Sequence, residues 1–382
     1  MRILQLITQT QLRGAEVFAA QLSDALATRG HEVVLAALRD GHQTLSTLPQ
    51  VRQVVLGGGG SASRLPISPS VWRSLCRLVK DFRPDVVQAN GSETLKYAAL
   101  LRLRYPWVRA IYRNISIMSM WSDSGLKRHL VGAALRRMDH VASVTQVGKG
   151  DLVNGFGVAE DRVSVIPIGV HVPPELSPEE RDQVRESVRR RFGLPDGCPL
   201  VTHVGSFTAE KNHRELLQAF ASAVREIPSS RLLLVGDGPL RPQIESMVRD
   251  SGLEGSVVLA GVVPDAAGVM AGADVLALPS LREGLPGVIL EAAVAGVPAV
   301  AYRVGGVPEV VEDGVTGLVV ALGDVQALGQ GMVRLLGNPP DAHNLGAAAR
   351  SLVATQYALF EVGVGFETVY TDLVGYGVDR AQ

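Results

Sequence analysis

Short apolar runs alternate with longer amphipathic stretches along the first part of the chain. The runs ILQLI, VVLAAL, VRQVVL, DVVQAN, RAIYRN, HVASVT and VSVIPIG are rich in Val, Ile and Leu, which favours strands buried on both faces. Between them, helical spacing predicts helices over about 16–28 and 70–81. Strands that alternate with helices are typical of βαβ units around a parallel sheet.

A change in composition divides the chain. Residues 173–193 begin with prolines and become highly charged, as expected for a boundary followed by a solvated helix. The strand rhythm restarts at PLVTHVG and continues through RLLLVGDGP, SVVLAGVV, ADVLALP, VPAVAY and TGLVVAL. The pattern predicts two doubly wound α/β domains, 1–172 and 173–359. The last helical stretch, about 360–382, could pack on either domain, and we assign it to the first.

Length and composition agree with two soluble globular domains. The chain has 382 residues, a formal net charge of -1, 20% charged residues and 46% hydrophobic ones, so nucleic acid is not an expected partner. Its two cysteines, Cys76 and Cys198, lack metal-ligand spacing and favour a reducing, cytoplasmic environment. The first apolar run is too short to cross a bilayer. We therefore expect at most peripheral contact with the inner face of a membrane.

Glycines are concentrated where strands end. Gly14, Gly205, Gly236, Gly284 and Gly305 each follow a predicted strand, and ligands of open α/β sheets bind at that edge. A single such glycine is more often a simple connector, but the set favours a ligand with phosphate groups. The dinucleotide pattern GxGxxG and the nucleotide pattern GxxxxGK[ST] are missing from the sequence, which disfavours a dehydrogenase.

The segment EGLPGVILEAAVAG carries two carboxylates in an apolar setting. Pro286 is suited to the first turn of a helix that would run to Gly296. Glu283 then lies in the preceding loop and Glu291 lies within the helix, which has no other charge. Either glutamate alone would more often face solvent. On a helix without an evident polar face, however, a carboxylate needs donors, and ligand hydroxyls would supply them.

The spacing E-x7-E, together with several other motifs, resembles the family 4 retaining glycosyltransferases. Further matches in order are LRGAEVFAAQLSDALATRGHEVVLA, VSVIPIGVH, VTHVGSFTAEKNHRELLQAF, LLLVGDGP and AGADVLALPSLREG, which together cover nearly the full chain. The resemblance implies the GT-B fold of two facing Rossmann-like domains. It also implies transfer of a sugar from a nucleoside diphosphate sugar, most commonly a UDP-sugar, to an acceptor hydroxyl in glycan, glycolipid or cell-envelope biosynthesis.

The resemblance also implies roles for individual residues. Glu283 would contact hydroxyls of the donor sugar, Glu291 those of the ribose, and Lys211 the diphosphate. The other donor-side residues are Gly14, Gly205, Ser206, Gly284, Leu285, Pro286 and Gly287. The acceptor-side residues are Gly14, Ala15, Glu16, Asn90 and Asn114, and Asn114 joins Glu283 and Lys211 as the expected catalytic group. Because the chain contains no D-x-D motif, no metal cofactor is expected.

Four positions depart from the family's usual pattern, one of which is His171, where an aspartate is usual. Ser206 stands where an arginine is usual, and Asn90 and Asn114 stand where histidine is frequent. Asn can position a hydroxyl but cannot act as a base at neutral pH. Two alternatives therefore stay open: a catalytically weak sugar-nucleotide-binding protein and, on the same fold, a sugar-nucleotide epimerase. His203 lies in an apolar strand, where a core or supporting role is expected.

A basic stretch lies between Leu100 and Asp139. It contains Arg102, Arg104, Arg109, Arg113, Lys127, Arg128, Arg136 and Arg137 against Asp123 and Asp139. Such runs are usually solvated surfaces. Here apolar residues are interleaved in NISIMSMWSDSGLKRHL, as in segments that bind membrane surfaces. We hypothesise that this stretch receives an acidic or lipid-linked acceptor.

Overall fold

The computed structural model describes residues 1–11, 14–41, 43–57, 67–121 and 125–378. The chain divides into two compact units. Unit 1 consists of Met1–Gly169 and Leu359–Gln382, and unit 2 of Val170–Ala358. None of the described helices is long and apolar enough to span a membrane.

Unit 1 is built on a parallel sheet. Its described strands lie in the order β3-β2-β1-β4-β5-β6-β7, and every registered pair is parallel. The strands are β1 (Arg2–Gln9), β2 (Glu32–Arg39), β3 (Arg52–Val55), β4 (Val86–Asn90), β5 (Arg109–Asn114), β6 (His140–Ser143) and β7 (Val163–Val165). The alternation read from the sequence is thus confirmed for this half.

Helices cover both faces of this sheet. They are α1 (Gly14–Thr28), α2 (Pro69–Phe82), α3 (Ser92–Arg104), α4 (Gly125–Leu135), α5 (Gln146–Gly150) and the C-terminal α14 (Leu359–Val378). Ile3, Val86 and Ile111 share a core cluster with residues of α1 and α14. Leu4 and Val87 belong to a cluster that contains residues of α2 and α3. Adjacent strand residues therefore serve opposite faces, as the pleat of a strand requires.

The C-terminal helix α14 belongs to unit 1. The Phe366 ring lies 6.2 Å from that of Phe18 on α1, and Tyr370 is fully buried against the sheet. The prediction that the last helix returns to the first domain is confirmed. The two units separate at Gly169 and Val170 and again at Ala358 and Leu359.

Unit 2 repeats the plan with a second parallel sheet. Its described strands lie in the order β10-β9-β8-β11-β12-β13. They are β8 (Leu200–Val204), β9 (Arg231–Val235), β10 (Val257–Gly261), β11 (Val275–Leu278), β12 (Ala299–Tyr302) and β13 (Gly317–Val320). Its helices are α6 (Pro178–Arg191), α7 (His213–Glu226), α8 (Arg241–Asp250), α9 (Ala266–Ala271), α10 (Gly287–Val294), α11 (Val307–Val310), α12 (Val325–Gly337) and α13 (Pro339–Gln356).

Local signals explain where the charged helix α6 begins. The Ser177 hydroxyl accepts from the N–H of Glu180, and the Glu180 carboxylate accepts from the N–H of Ser177, a reciprocal capping box. Pro178 occupies the first turn, where its missing N–H costs nothing. Three arginines lie in the last turn, where their positive charges interact favourably with the negative end of the helix dipole.

Candidate active site

Two loops at the carboxyl edge of the unit 2 sheet carry the residues expected to bind the donor. Strand β8 ends at Val204 and β11 at Leu278. The two strands are parallel neighbours in the sheet, so the segments that follow them leave the same edge side by side. This edge is where ligands of open α/β sheets bind.

Lys211 and Glu283 form an ion pair at this edge. The Lys211 Nζ lies 2.6 Å from the Glu283 Oε1, and the two side chains are 22% and 11% exposed. The N–H of Leu281 donates to the carbonyl of Glu210 over 2.8 Å, which ties the two loops together beside the pair. The structure thus brings together a cation and a carboxylate that come from separate motifs.

Glycines let the backbone approach closely on both sides of this pair. A Cβ on Gly305, which has a positive φ of 49°, would overlap the carbonyl oxygen of Glu283. A Cβ on Gly236 would likewise overlap the carbonyl oxygen of Gly205. Only glycine avoids both clashes, so these loops depend on the glycines that follow the strands.

The loop after Glu283 leads directly into α10. The Gly284 carbonyl accepts from the N–H of Gly306 over 2.8 Å, and Leu285 and Pro286 are buried. The helix begins at Gly287, one residue later than expected, because Pro286 has an extended conformation. The first turn of a helix has N–H groups without partners within the helix, which suits an anion.

Ser206 is exposed beside this loop pair. Its hydroxyl lies 3.5 Å from that of Thr208. A Cβ on the neighbouring Gly205 would stand 3.4 Å from the Cδ and Cε of Lys211. Gly205 therefore lies next to the cation, and its neighbour Ser206 adds no second positive charge.

Glu291 lies in the second turn of α10 and does not belong to the ion pair. Contrary to the expectation of a buried carboxylate, its side chain is exposed and lines a cavity of about 240 Å³ together with His343 and Arg350. The surrounding protein still desolvates the group and raises the pKa of its carboxyl. The expectation failed because Gly287, Val288 and Val294 leave that face of the apolar helix partly open.

Two buried histidines lie behind Lys211. The His203 ring on β8 and the His213 ring at the start of α7 are 4.8 Å apart in a T-shaped arrangement. Burial, followed by the neighbouring imidazole and Lys211, lowers the pKa of His203 to about 3. Burial and Lys211 lower that of His213 to about 4. His203 is buried as expected, whereas sequence reasoning missed His213.

The predicted acceptor-side residues of unit 1 fall in different environments. At the start of α1, Gly14 is exposed, Ala15 is half-buried and Glu16 is buried. Asn90 is buried, and its amide is occupied by the chain. It donates to the Gln5 side chain over 2.8 Å and accepts from Gln88 over 3.1 Å.

Asn114 contrasts with Asn90. It is completely buried at the end of β5, and neither its amide nitrogen nor its amide oxygen has a partner among the described residues. A Cβ on Gly148 would come within 3.5 Å of its amide nitrogen and closer still to Ser143 and Thr145. Asn114 therefore lies under the short helix α5 that follows β6.

The basic stretch separates into buried and exposed parts. Arg113 is 1% exposed, so the surface interpretation was wrong for that residue, because its strand is covered on both faces. Residues 125–130, at the start of α4, are all exposed, with Leu126 at 72% and Leu130 at 61%. The side chains of residues 121–124 lie outside those that the structure describes.

Another cavity in the described residues lies away from this edge. It has a volume of about 960 Å³ and lies at the amino ends of the unit 2 strands, beside Pro199 and Asp274. Its Arg185 and Arg189 are ion-paired with Asp274. The charges largely compensate one another, so we do not assign the donor to this cavity.

Comparison with known proteins identifies the family of the chain. Residues 12–172 match the family model described as Glycosyltransferase Family 4, and residues 198–338 match that described as Glycosyl transferases group 1. An N-acetyl-alpha-D-glucosaminyl L-malate synthase from Bacillus anthracis is 32% identical over 49% of this chain and 49% of its own length. The alignment thus spans about half of that relative.

A longer alignment relates the chain to a mycobacterial enzyme. A GDP-mannose-dependent alpha-(1-6)-phosphatidylinositol monomannoside mannosyltransferase from Mycolicibacterium smegmatis is 34% identical over 74% of this chain and 75% of its own length. The structure of Anabaena HepE in complex with UDP and glucose superposes with a TM-score of 0.82 at 21% identity, covering 97% of this chain and 100% of that one. The predicted GT-B fold is confirmed, and the chain belongs to the family 4, group 1 retaining glycosyltransferases.

Proposed function

We propose that this protein transfers a sugar from a nucleoside diphosphate sugar to an acceptor hydroxyl with retention of anomeric configuration. The observation that carries the proposal is the pairing of Lys211 with Glu283 beside the start of α10. Cleavage of the donor builds negative charge on the diphosphate, and fixed positive groups placed there stabilise the transition state.

The geometry of unit 2 supports the donor-side roles that we propose. Lys211 and the first N–H groups of α10 receive the diphosphate, while the Glu283 carboxylate accepts from sugar hydroxyls. Glu291, exposed one turn further along, accepts from the ribose. Gly205, Ser206, Gly284, Leu285, Pro286 and Gly287 form the surrounding backbone. Donor binding must then draw Lys211 from its 2.6 Å contact with Glu283 toward phosphate.

The chemistry we propose is attack from the face that the leaving group occupies. The acceptor oxygen forms a bond to the anomeric carbon as the bond to the phosphate oxygen breaks, and the departing diphosphate takes the acceptor proton. Glu283 already binds a cation, which makes it a weaker candidate for a covalent nucleophile. Because Lys211 supplies the charge, we expect activity without a divalent metal, and activity should survive a chelator.

A UDP-sugar is the donor we expect, in line with the UDP bound by Anabaena HepE. The experiment is to incubate the protein with UDP-glucose, UDP-N-acetylglucosamine or GDP-mannose, with and without acceptors, and to measure nucleoside diphosphate release and sugar products. Release that depends on an acceptor supports transfer. Binding without turnover would instead identify a sugar-nucleotide-binding protein, and formation of an epimer without an acceptor would identify an epimerase.

Two variants test the separate roles of the glutamates. Glu291→Ala should weaken binding of free uridine diphosphate, whereas Glu283→Ala should reduce turnover more than it weakens that binding. Isothermal titration and steady-state kinetics measure the two effects. Glu312→Ala, an exposed carboxylate in the same unit, is the control. Unchanged uridine diphosphate binding by both variants would contradict the assignment.

For the acceptor, we propose an acidic or lipid-linked molecule met at a membrane surface. The observation that supports this proposal is the exposed start of α4, where Leu126 and Leu130 flank Lys127 and Arg128. Exposed apolar side chains beside cations suit the boundary between headgroups and acyl chains. The mycobacterial relative is named for a phosphatidylinositol-linked acceptor. The predicted acceptor-side residues remain Asn114, Gly14, Ala15 and Glu16. Asn90 would contribute only by holding the strands in place, because its amide is already hydrogen-bonded within the chain.

A further inference from the structure

Arg113 is a buried cation, two of whose three side-chain nitrogens have no hydrogen-bond partner among the described residues. Its side chain is 1% exposed, and its Nε and Nη1 have no acceptor among the described residues. The guanidinium instead lies over the Phe18 ring, 3.8 Å from its centroid. Desolvation lowers the pKa of Arg113 to about 9, so the group stays charged at neutral pH. Buried arginines are ordinarily paired, which makes this position unusual.

The neighbouring polar residues show that the fold can satisfy buried groups on this same face. Gln5 donates to Tyr370, Tyr370 to Gln88, Gln88 to Asn90, and Asn90 back to Gln5, over 2.6–3.2 Å. These bonds form a closed ring. Arg113 is the registered strand partner of Asn90, yet no member of the ring accepts from it. Its Nε and Nη1 donors are therefore an exception among the buried polar groups on this face, which are otherwise hydrogen-bonded.

The adjoining strand end is also incompletely bonded and has open space. Asn114 follows Arg113 and has both amide atoms buried without a described partner. Gly91 follows Asn90 with a positive φ of 99°, and the nearest atom to a Cβ there is the Thr8 hydroxyl at 3.8 Å. A Cβ on Gly14 would meet nothing within 4 Å. Phe18 lies about one helical turn beyond Gly14. Room for a ligand group therefore lies at Gly91, one residue beyond the strand partner of Arg113, and at Gly14.

We propose that Arg113 is the binding residue for an oxyanion, a carboxylate or a phosphate group, carried by the acceptor in unit 1. A guanidinium has planar N–H groups that match the oxygens of either anion, and a charge-assisted bond would supply the acceptor that the chain lacks. The inference rests on the proposed transferase function, because only a transferase has an acceptor substrate. The anion site itself can be tested without any sugar donor.

The test uses inorganic phosphate and malonate as probes on the full chain. Because Lys211 is itself an anion-binding group, all measurements are made in the Lys211→Ala background, at constant ionic strength set with sodium chloride. Thermal unfolding is followed as each anion is titrated. We expect saturable stabilisation by at least one anion, weakened about tenfold or more by Arg113→Gln and partly retained by Arg113→Lys. Arg102→Gln, which removes an arginine paired with Asp139 in the same unit, should leave the response unchanged.

The two probes distinguish the sources of the anion. Preference for malonate indicates a carboxylic acid acceptor, and preference for phosphate indicates a phosphorylated or phospholipid acceptor. Equal stabilisation with and without Arg113, or no saturable response to either anion, would overturn the proposal. If Arg113→Gln does not fold, the response of Arg113→Lys decides, since full retention of affinity and of anion preference would count against a guanidinium-specific site. Failure of sugar transfer with an intact anion response would overturn the transferase function alone.

Discussion

The two units share a sheet plan but place their polar groups differently. In unit 1 the last residue of β4, Asn90, is registered with Arg113 on β5. At the corresponding place in unit 2, the last residue of β11, Leu278, is registered with Ala301. Unit 2 carries its ion pair in the loops beyond the strands, where water still reaches Lys211. Unit 1 carries its cation inside the sheet.

This difference separates two ways of preparing a binding edge. A cation in a loop can change partners at small cost, because solvent replaces what it loses. A cation inside a sheet has already lost its hydration when the protein folds, so a ligand that neutralises its charge stabilises it strongly. The unit 2 edge is thus suited to reversible exchange between Glu283 and a donor. The unit 1 edge is suited to selection of an anionic group.

The largest expected effect is loss of stability in acid, and it should fall mainly on unit 2, although burial also lowers the pKa of His140 in unit 1. The imidazoles of His203 and His213 have depressed pKa values in the folded protein, about 3 and about 4. The unfolded chain takes up protons below about pH 6.5, and the folded chain does not follow until those lower values. Stability is therefore complete above pH 6.5 and falls as the pH is lowered, by about 2 kcal/mol per imidazole at pH 5.

The distribution of tryptophan makes this measurable for each unit. All three tryptophans, Trp72, Trp107 and Trp121, lie in unit 1. In urea unfolding at pH 5, the circular dichroism transition should precede the tryptophan transition, whereas the two should lie closer at pH 7.5. His213→Gln should reduce the difference, and His129→Gln, exposed on α4, should not. Coincident transitions at both pH values would contradict the comparison.

Removal of Lys211 should have the next largest effect. Lys211→Ala deletes the cation at the developing diphosphate charge, so we expect a loss of at least about 2 kcal/mol of transition-state stabilisation, or about 30-fold in kcat/KM. Steady-state kinetics with a productive donor and acceptor give the value. Arg214→Ala, which removes an exposed cation on α7, is the matched control. Near-normal activity of Lys211→Ala would mean that another cation holds the diphosphate.

Charge reversal on α4 should concern membrane binding alone. Each cation near an anionic bilayer contributes about 1 kcal/mol, and salt screens that contribution. Binding to vesicles should rise with the anionic lipid fraction, fall with salt, and drop in the double variant Lys127→Glu and Arg128→Glu. Reversal of Arg73 and Arg77, exposed on α2, should change it less. If binding does not depend on lipid charge or salt, the result would favour a soluble acceptor.

The sequence predicted the architecture well because periodicity reports burial directly. The strand runs and the boundary helix α6 follow from apolar spacing and composition, whereas spacing alone left the last helix, α14, free to pack on either domain. The pairing of Lys211 with Glu283 could not be read from spacing alone. It depends on β8 and β11 being neighbours in the sheet, which only the resemblance to a known fold implied.

The failures share a physical cause, since the environment of a polar side chain is set by distant parts of the chain. Arg113 belongs to a run of cations that reads as solvated surface, yet α1 and the sheet bury it. Glu291 lies on an apolar helix that reads as buried, yet one face of that helix is open. Asn90 was expected to meet the acceptor, but Tyr370, from the far end of the chain, completes the ring that occupies it.

The smallest expected effect is a gain in stability on removal of the unit 1 charge. Arg113→Met keeps most of the apolar stem and removes a buried guanidinium whose Nε and Nη1 have no described hydrogen-bond partner. Replacement of a buried charge by a similar apolar side chain is often stabilising, and we expect about 1 kcal/mol. Lys211→Met should show no such gain, because it leaves the Glu283 carboxylate, 11% exposed, without its cation. Urea unfolding followed by tryptophan fluorescence for unit 1 and by circular dichroism for both units gives the two values. A destabilised Arg113→Met together with a stabilised Lys211→Met would reverse the comparison and show that the chain itself satisfies Arg113.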